Sequence, residues 1–470
     1  MDFPLENAGL NEGDLNKVFR YAPRKTTIVR CLTTDPSPLL WFLDFPEDYQ
    51  TWLQRGVPSI QRDSGLVLVL ARRAGENASL FEQLAAGAAS FGQAEADSDF
   101  KSSLNEKDRS YSWPEGKAIS APPGKKRERH EKGNLPGGGR EVRQVPFEKD
   151  VFREICQAFF VHPSISRAIS RADVPLFSRA EIRINQKSSK WADHHAIVYN
   201  CRSANTWKND LALTVTYFPR SKLMFGILFG CTAAIEKEVL NRLASAKEHA
   251  FHPLLLPGIF AELERERMVE VVESTIDEME GAIFELDTGS GAKNTHRETS
   301  ESSHLGGARY ARRTVWLNTT FLRNRLQIWK TQLLKMIQHV DELSNYDSPF
   351  SLEAYGGDLE DRACRHAVEN DHSSMHRTGC LIKDRLRAIV EEFDEMIDDC
   401  SMRVDGMTIA TQWSQGDTNV DIAAAAGRDS SQMRSISLVT MIFLPGTFFA
   451  RKPMKLMALQ QSHVLDRGGE

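Results

Sequence analysis

At 470 residues the chain has room for two or three ordinary domains, or for one domain with a long appended element. A composition of 41% hydrophobic, 26% charged and 9% aromatic residues excludes a wholly disordered or collagen-like protein. A mean hydropathy of -0.40 excludes a polytopic protein with most of its mass in the bilayer, and a net charge of -5 argues against a nucleic-acid partner, which would need a basic face for phosphate.

Residues 1–90 read as the first part of an α/β domain. Thr27-Ile28-Val29-Arg30-Cys31-Leu32 and Leu66-Val67-Leu68-Val69-Leu70 are apolar, β-branched runs of the kind that form buried strands. Ser79 to Ala89 is rich in alanine and helix-like. Residues 91–144 turn to Ser, Lys, Glu, Gly and Pro, which bury too little to offset ordering entropy; a disordered linker or insertion is expected. Nothing in Met1-Asp2-Phe3-Pro4-Leu5-Glu6 resembles a cleaved secretion signal. The seven cysteines, scattered and without a C-x-x-C pair, suit reduced thiols.

Order is expected again over 145–287. Val151, Ile155, Phe159 and Phe160 share one side of a helix predicted over Glu148–Ile165. Strands are predicted at Ala196–Asn200, Leu211–Tyr217 and Leu223–Phe229, the last two joined by a turn at Pro219. From Pro257 to Asp287 the period becomes helical. Met268, Val272, Ile276, Met279 and Ile283 form the inner face, and Glu262, Glu266, Glu270, Glu273, Asp277 and Glu280 recur on an acidic side. A flexible linker is expected over 288–313.

The region 314–435 reads as two long helices packed as a coiled coil, with a polar loop at 344–378. One seam runs Leu322, Leu326, Trp329, Leu333, Met336, Val340, Leu343; the other runs Ile382, Leu386, Ile389, Phe393, Met396, Cys400, Val404, Met407. The second helix also carries Glu391, Glu392, Asp394, Glu395, Asp398 and Asp399. Residues 436–450 are the candidate membrane segment, including Ile436, Leu438, Thr440, Phe443, Pro445, Thr447 and Ala450. As a straight helix it is roughly 22 Å long against a hydrocarbon core of about 30 Å. A buried or loosely attached C-terminal helix is the other reading. A polar tail, 451–470, follows.

Cys364, His366, His372, His376 and Cys380 place five potential zinc ligands in the expected polar loop, without a standard finger spacing. Lys125-Lys126-Arg127-Glu128-Arg129-His130 is a diluted basic run within the linker. The adjacent His194 and His195 point to opposite faces of a strand and do not easily share a metal. No motif for nucleophilic or metal-assisted hydrolysis is present, so no enzyme is expected.

Four passages resemble the CorA-like transporter proteins of filamentous fungi, distant relatives of the CorA magnesium channels. They are Phe159-Phe160-Val161-His162-Pro163-Ser164-Ile165 with its continuation to Asp173, Ile197-Val198-Tyr199-Asn200-Cys201-Arg202-Ser203 with Trp207 and Asp210, His252-Pro253-Leu254-Leu255-Leu256-Pro257-Gly258 with its continuation to Arg265, and Arg428-Asp429-Ser430-Ser431-Gln432-Met433 leading into Phe443-Leu444-Pro445-Gly446-Thr447-Phe448. The resemblance covers 1–90 loosely and about 145–450 well. It implies an α+β protein: an α/β cytosolic domain, then long stalk helices in a coiled coil and a short C-terminal membrane helix. It further implies lipid as a partner, a homo- or hetero-oligomer through the stalk (a pentamer in the family), and Mg2+ as a transported or regulatory ion. Glu262, Glu266, Glu270, Glu273, Asp277, Glu280, Asp394 and Asp398 are the carboxylates that would meet such a cation.

The chain departs from the family after the candidate membrane segment. Where a Gly-Met-Asn loop is expected it reads Arg451-Lys452-Pro453-Met454-Lys455-Leu456, and no second apolar stretch follows. Positive charge at the mouth of an oligomer would repel cations. The expectation is therefore a pore-incomplete, membrane-associated relative with its bulk in the cytoplasm. The alternative is a soluble coiled-coil interaction or regulatory module without transport activity.

Overall fold

The computed structural model describes residues 9–73, 104–105, 110–112, 141–171, 174–184, 194–291, 301–344 and 362–462. Most of the expected linker at 91–144, the helix expected at Ser79–Ala89 and the basic run at Lys125–His130 lie outside these residues. The fold is mixed α and β, a sheet domain with long C-terminal helices, as expected at that level. The chain divides into two compact units, one formed by 1–276 with 318–401 and the other by 277–317 with 402–470.

The first unit is built on a nine-stranded sheet. In chain order its strands are β2 (Thr26–Leu32), β3 (Leu39–Leu43), β4 (Gly65–Arg72), β5 (Leu104–Asn105), β6 (Ser110–Ser112), β8 (Leu176–Ile184), β9 (His194–Arg202), β10 (Ala212–Phe218) and β11 (Leu223–Cys231). β1 (Arg20–Tyr21) and β7 (Gln144–Val145) form a separate parallel pair. The spatial order β5-β6-β3-β2-β4-β11-β10-β9-β8 joins an antiparallel five-stranded half to the antiparallel meander β8–β11 through one parallel pair. That pair is β4 with β11, in register from Gly65 opposite Leu223 to Ala71 opposite Phe229.

Helices cover both sheet faces, which is why β4, β10 and β11 are buried along their whole length instead of alternating with solvent. On one face Ile28, Val67, Val69, Phe225, Ile227 and Phe229 pack under α1 (Glu12–Lys17), α2 (Pro46–Arg55), α3 (Lys149–Ala158) and α4 (Ser164–Ser170). On the other face Val29, Leu66, Leu68, Leu70, Val215 and Leu228 pack under α5 (Ala233–Ser245), α6 (Leu255–Gly291), α7 (Glu301–Ser344) and α8 (Arg362–Ser462). Gly226 at the middle of β11 allows that second layer to sit close, since a Cβ there would lie 2.9 Å from Leu256 Cδ1.

The helix expected over Glu148–Ile165 is two helices. Phe160 takes a positive φ of 54° just past α3, and the Val161 amide donates back to the Cys156 carbonyl at 2.9 Å. This is a left-handed helix stop with phenylalanine where glycine is usual. Pro163 then stands at the N-cap of α4.

Both heptad seams form, but not as a free-standing coiled coil. Leu322, Leu326, Trp329, Leu333, Met336 and Val340 share one core with Leu386, Ile389, Phe393, Met396 and Cys400, and the sheet side chains belong to the same core. The apolar stripe meets a β-sheet as well as a partner helix, so residues 318–401 act as a layer of the sheet domain and not as a separate stalk. The expected loop at 344–378 and linker at 288–313 are also shorter in the structure. Helix α8 begins at Arg362, α6 extends to Gly291 and α7 begins at Glu301. Polar composition alone misplaced these boundaries, because a helix already nucleated can propagate through Glu, Arg, Ala and His at little cost.

In the second unit Met279, Ala282, Val404 and Met407 form a small core, with Ile283, Leu286, Val315 and Trp316 packed around it. Beyond Ser414 every α8 side chain described, through Phe443, is exposed.

Candidate functional site

The acidic side of α6 is where the sequence pointed for a cation, and the structure divides it. Glu262 is buried among arginines. Its carboxylate accepts from Arg265 Nε at 3.1 Å and Arg385 Nη2 at 3.0 Å, with a second contact from Arg385 Nε, and Arg242 lies 3.7 Å away. Burial pushes the Glu262 carboxyl up, but the hydrogen bonds and charges of Arg385, Arg265 and Arg242 outweigh it and hold the group below its ordinary value. Glu266 accepts from Arg242 Nη2 at 2.5 Å, and Arg265 Nη1 also donates to Glu392 at 3.0 Å. Three arginines and three glutamates thus tie α5, α6 and α8 together. A carboxylate engaged in this way is a poor ligand for Mg2+, which demands an octahedral set of oxygens.

The remaining expected positions are dispersed. Glu270, Glu273 and Asp277 are exposed on α6. In the second unit Glu280 pairs with Arg403 at 2.9 Å. Asp394 pairs with Lys330 at 2.5 Å, and Asp398 is exposed. Among the described residues, no group of three or more His, Cys, Asp or Glu side chains is placed to hold a metal ion. Of the expected zinc ligands, His376 and Cys380 lie one helical turn apart on α8 with Nδ1 and Sγ 3.7 Å from each other. The side chains of Cys364, His366 and His372 lie outside the described residues.

Several buried polar pairs had almost no signal in the linear sequence. Glu264 and Arg267, adjacent to the acidic stripe, form a buried pair with contacts of 2.7 and 2.9 Å. Arg267 also donates to the carbonyls of Ala204 and Lys208, holding the β9–β10 connection against α6. In that connection Arg202 pairs with Asp210 at 2.5 Å, and Arg73 approaches Asp210 at 3.5 Å. Burial lowers the Arg202 guanidinium from its ordinary value even though Asp210 pulls the other way. Arg72 and Glu236 form a further buried pair at 3.1 Å. The one cue available was the order Arg202-Ser203 and Asp210-Leu211 flanking a short polar loop.

No protein family profile matches this chain, and no curated protein does. Solved structures that match include one described as the full-length CmaX protein. It is 10% identical, with a TM-score of 0.30, over 61% of this chain and 68% of that one. So loose a superposition fixes neither fold nor function.

The candidate membrane segment is part of α8, not a separate helix. Ile436, Leu438 and Phe443 are 59%, 60% and 65% exposed, and the Thr440 hydroxyl folds back onto the Ile436 carbonyl at 2.8 Å. Pro445, Thr447 and Ala450 fall in the continuation of the same helix, and their side chains lie outside the described residues. Among the described residues no helix is long and apolar enough to cross a membrane. The expected short membrane helix is to that extent corrected. The apolar run is interrupted by Ser437 and Thr440 and follows the polar stretch Arg428 to Ser435, so a bilayer-length window is never purely apolar.

Proposed function

We propose that the chain is a CorA-like, membrane-associated member of the divalent-cation transporter superfamily, with the sheet domain on the cytoplasmic side. The C-terminal part of α8 would meet lipid, and the chain would not conduct cations by itself. The observation that carries this reading is α8, a single helix from Arg362 to Ser462 that is built into the core early and wholly exposed from Gln415 to Phe443. That exposed stretch includes Val439, Met441, Ile442 and Phe443 within the fourth passage of the resemblance. Each such side chain gains about 1.5–3 kcal/mol when removed from water. Lipid or other copies of α8, as in an oligomer, would supply the cover. Mg2+ would act as a transported or regulatory ion, with Glu270, Glu273, Asp277 and Asp398 as its exposed carboxylates. Arg451, Lys452 and Lys455 oppose cation passage near the membrane.

Membrane fractionation of the tagged chain tests this: it should pellet with membranes and resist carbonate extraction. Recovery in the carbonate supernatant would reject it. A second reading, a soluble helical interaction module, is favoured by the lack of a bilayer-length apolar helix among the described residues. It requires a monodisperse species on size exclusion without detergent.

A further inference from the structure

At the free edge of the sheet, outer strand β8 and helix α7 enclose a hollow of about 170 Å3 lined by Phe177, Arg179, Lys335, Gln338, His339 and Glu342. Gln332 ties two of the lining residues together: its Oε1 accepts from the Phe177 amide and from Lys335 Nζ, each at 3.3 Å. His339 is buried at the base, with Nε2 2.9 Å from the Tyr199 hydroxyl. Arg179 Nη1 contacts His339 Nδ1 directly. A guanidinium only donates, so the Arg179 contact calls for a lone pair on Nδ1 and a hydrogen on Nε2 directed at the Tyr199 oxygen, whereas the Glu342 contact calls for a hydrogen on Nδ1. Burial and the neighbouring Arg179 favour the neutral imidazole, against the pull of Glu342. Glu342 Oε2 lies 2.5 Å from Arg179 Nη1 and 3.3 Å from His339 Nδ1. Arg179 and Lys335 supply two positive charges and Glu342 one negative, and Glu181 is the other carboxylate acting on His339.

We propose that this hollow binds a phosphate-type oxyanion, inorganic phosphate or a phosphomonoester, on Arg179 and Lys335 once the Glu342 carboxylate swings aside. The site already accommodates an oxyanion, since Glu342 sets a carboxylate oxygen against Arg179 Nη1. Glu342 stands in the last turn of α7, which ends at Ser344, and its side chain is 38% exposed, so it can leave without disturbing the core. Arg179 offers a planar fork and Lys335 a mobile point charge, the pair of donors that phosphate takes best. With Arg179 drawn to the ligand, His339 Nδ1 becomes free to accept from a P–OH group. A carboxylate ligand has no hydrogen to give there, which favours phosphate.

The test uses the full chain and inorganic phosphate at constant ionic strength, read by calorimetry and by the His339 imidazole resonances. E342Q removes the internal competitor and should bind phosphate about tenfold or more tightly than the wild type. R179Q should abolish saturable binding, and K335Q should weaken it severalfold. Because Arg179 touches several groups, R179K serves as a control that keeps the charge: if it melts like the wild type, it should retain partial binding. Failure of E342Q to bind at millimolar phosphate, or equal binding by E342Q and by E342Q/R179Q, overturns the proposal. Vesicles of phosphatidylcholine with and without phosphatidic acid identify the source. Arg179-dependent retention of E342Q on the acidic vesicles assigns a lipid headgroup, and phosphate binding without such retention assigns a free phosphate.

Discussion

Two histidines under the helical layer, His252 and His339, are held neutral by their surroundings. Burial lowers His252 to about 3, helped by the nearby His339 and His249, and it lowers His339 to about 4, helped by Arg179. Both folded values lie below the ordinary 6.5, so the unfolded chain takes up protons that the native state refuses. The stability this confers is complete above about pH 6.5 and is lost as pH falls toward 4. Each group contributes a slope of roughly 1.4 kcal/mol per pH unit within that window. Glu262, whose carboxyl is held low, loses its contribution only at more acid pH, below the unfolded carboxylate value. Urea unfolding between about pH 7 and pH 5 should therefore show two histidine protons, and H339Q should remove one of them. A slope unchanged by H339Q would mean that His339 titrates normally in the fold. Another residue-scale expectation concerns Arg202, buried against Asp210: D210N, which strands the guanidinium, should cost about 3–5 kcal/mol in the same assay.

Elements differ in how plainly they were written in the sequence. The seams of α6, α7 and α8 were legible because a helix with one buried face imposes a three-and-four spacing over many turns, and Leu326, Trp329 and Phe393 stand in the core as that spacing requires. β4 and β11 were legible as unbroken apolar runs. β3 and β8 were not. β3 is short, and β8 is an edge strand in which the exposed Arg179, Glu181 and Arg183 interrupt the buried Phe177, Ile182 and Ile184. The arginine–glutamate cluster could not be read at all, since Glu262 and Arg385 lie 123 positions apart and meet only after the layers stack. The acidic stripe was visible, but its neutralisation by arginines was not. Trp329 tests the packing of this layer. It is fully buried against Phe260, at 5.9 Å between ring centroids, and its indole N–H has no partner among the described residues. W329A should cost about 3–5 kcal/mol, while W329F should cost less, because it also removes an unsatisfied donor. Equal losses in urea titrations would show that ring volume is not what holds the seam.

For the whole molecule, the contrast between a doubly covered sheet and an uncovered helix end sets the expected behaviour. Replacing Ile436, Leu438, Ile442 and Phe443 with serine should leave the urea midpoint of the sheet domain unchanged, since none of these side chains belongs to its core. The same variant should shift the protein from the carbonate-resistant pellet to the supernatant. If the quadruple variant pellets as before, contact with lipid does not run through these residues.

The single parallel pairing at the middle of the sheet has a consequence for synthesis. β4 leaves the ribosome long before β11, and every partner on that side of β4 lies at or beyond Leu223. A nascent chain therefore carries an open apolar strand border for the time needed to translate some 150 further residues, from Arg72 to Leu223. Chaperones that recognise extended hydrophobic segments should engage this polypeptide in that interval and release it once the β8–β11 meander emerges.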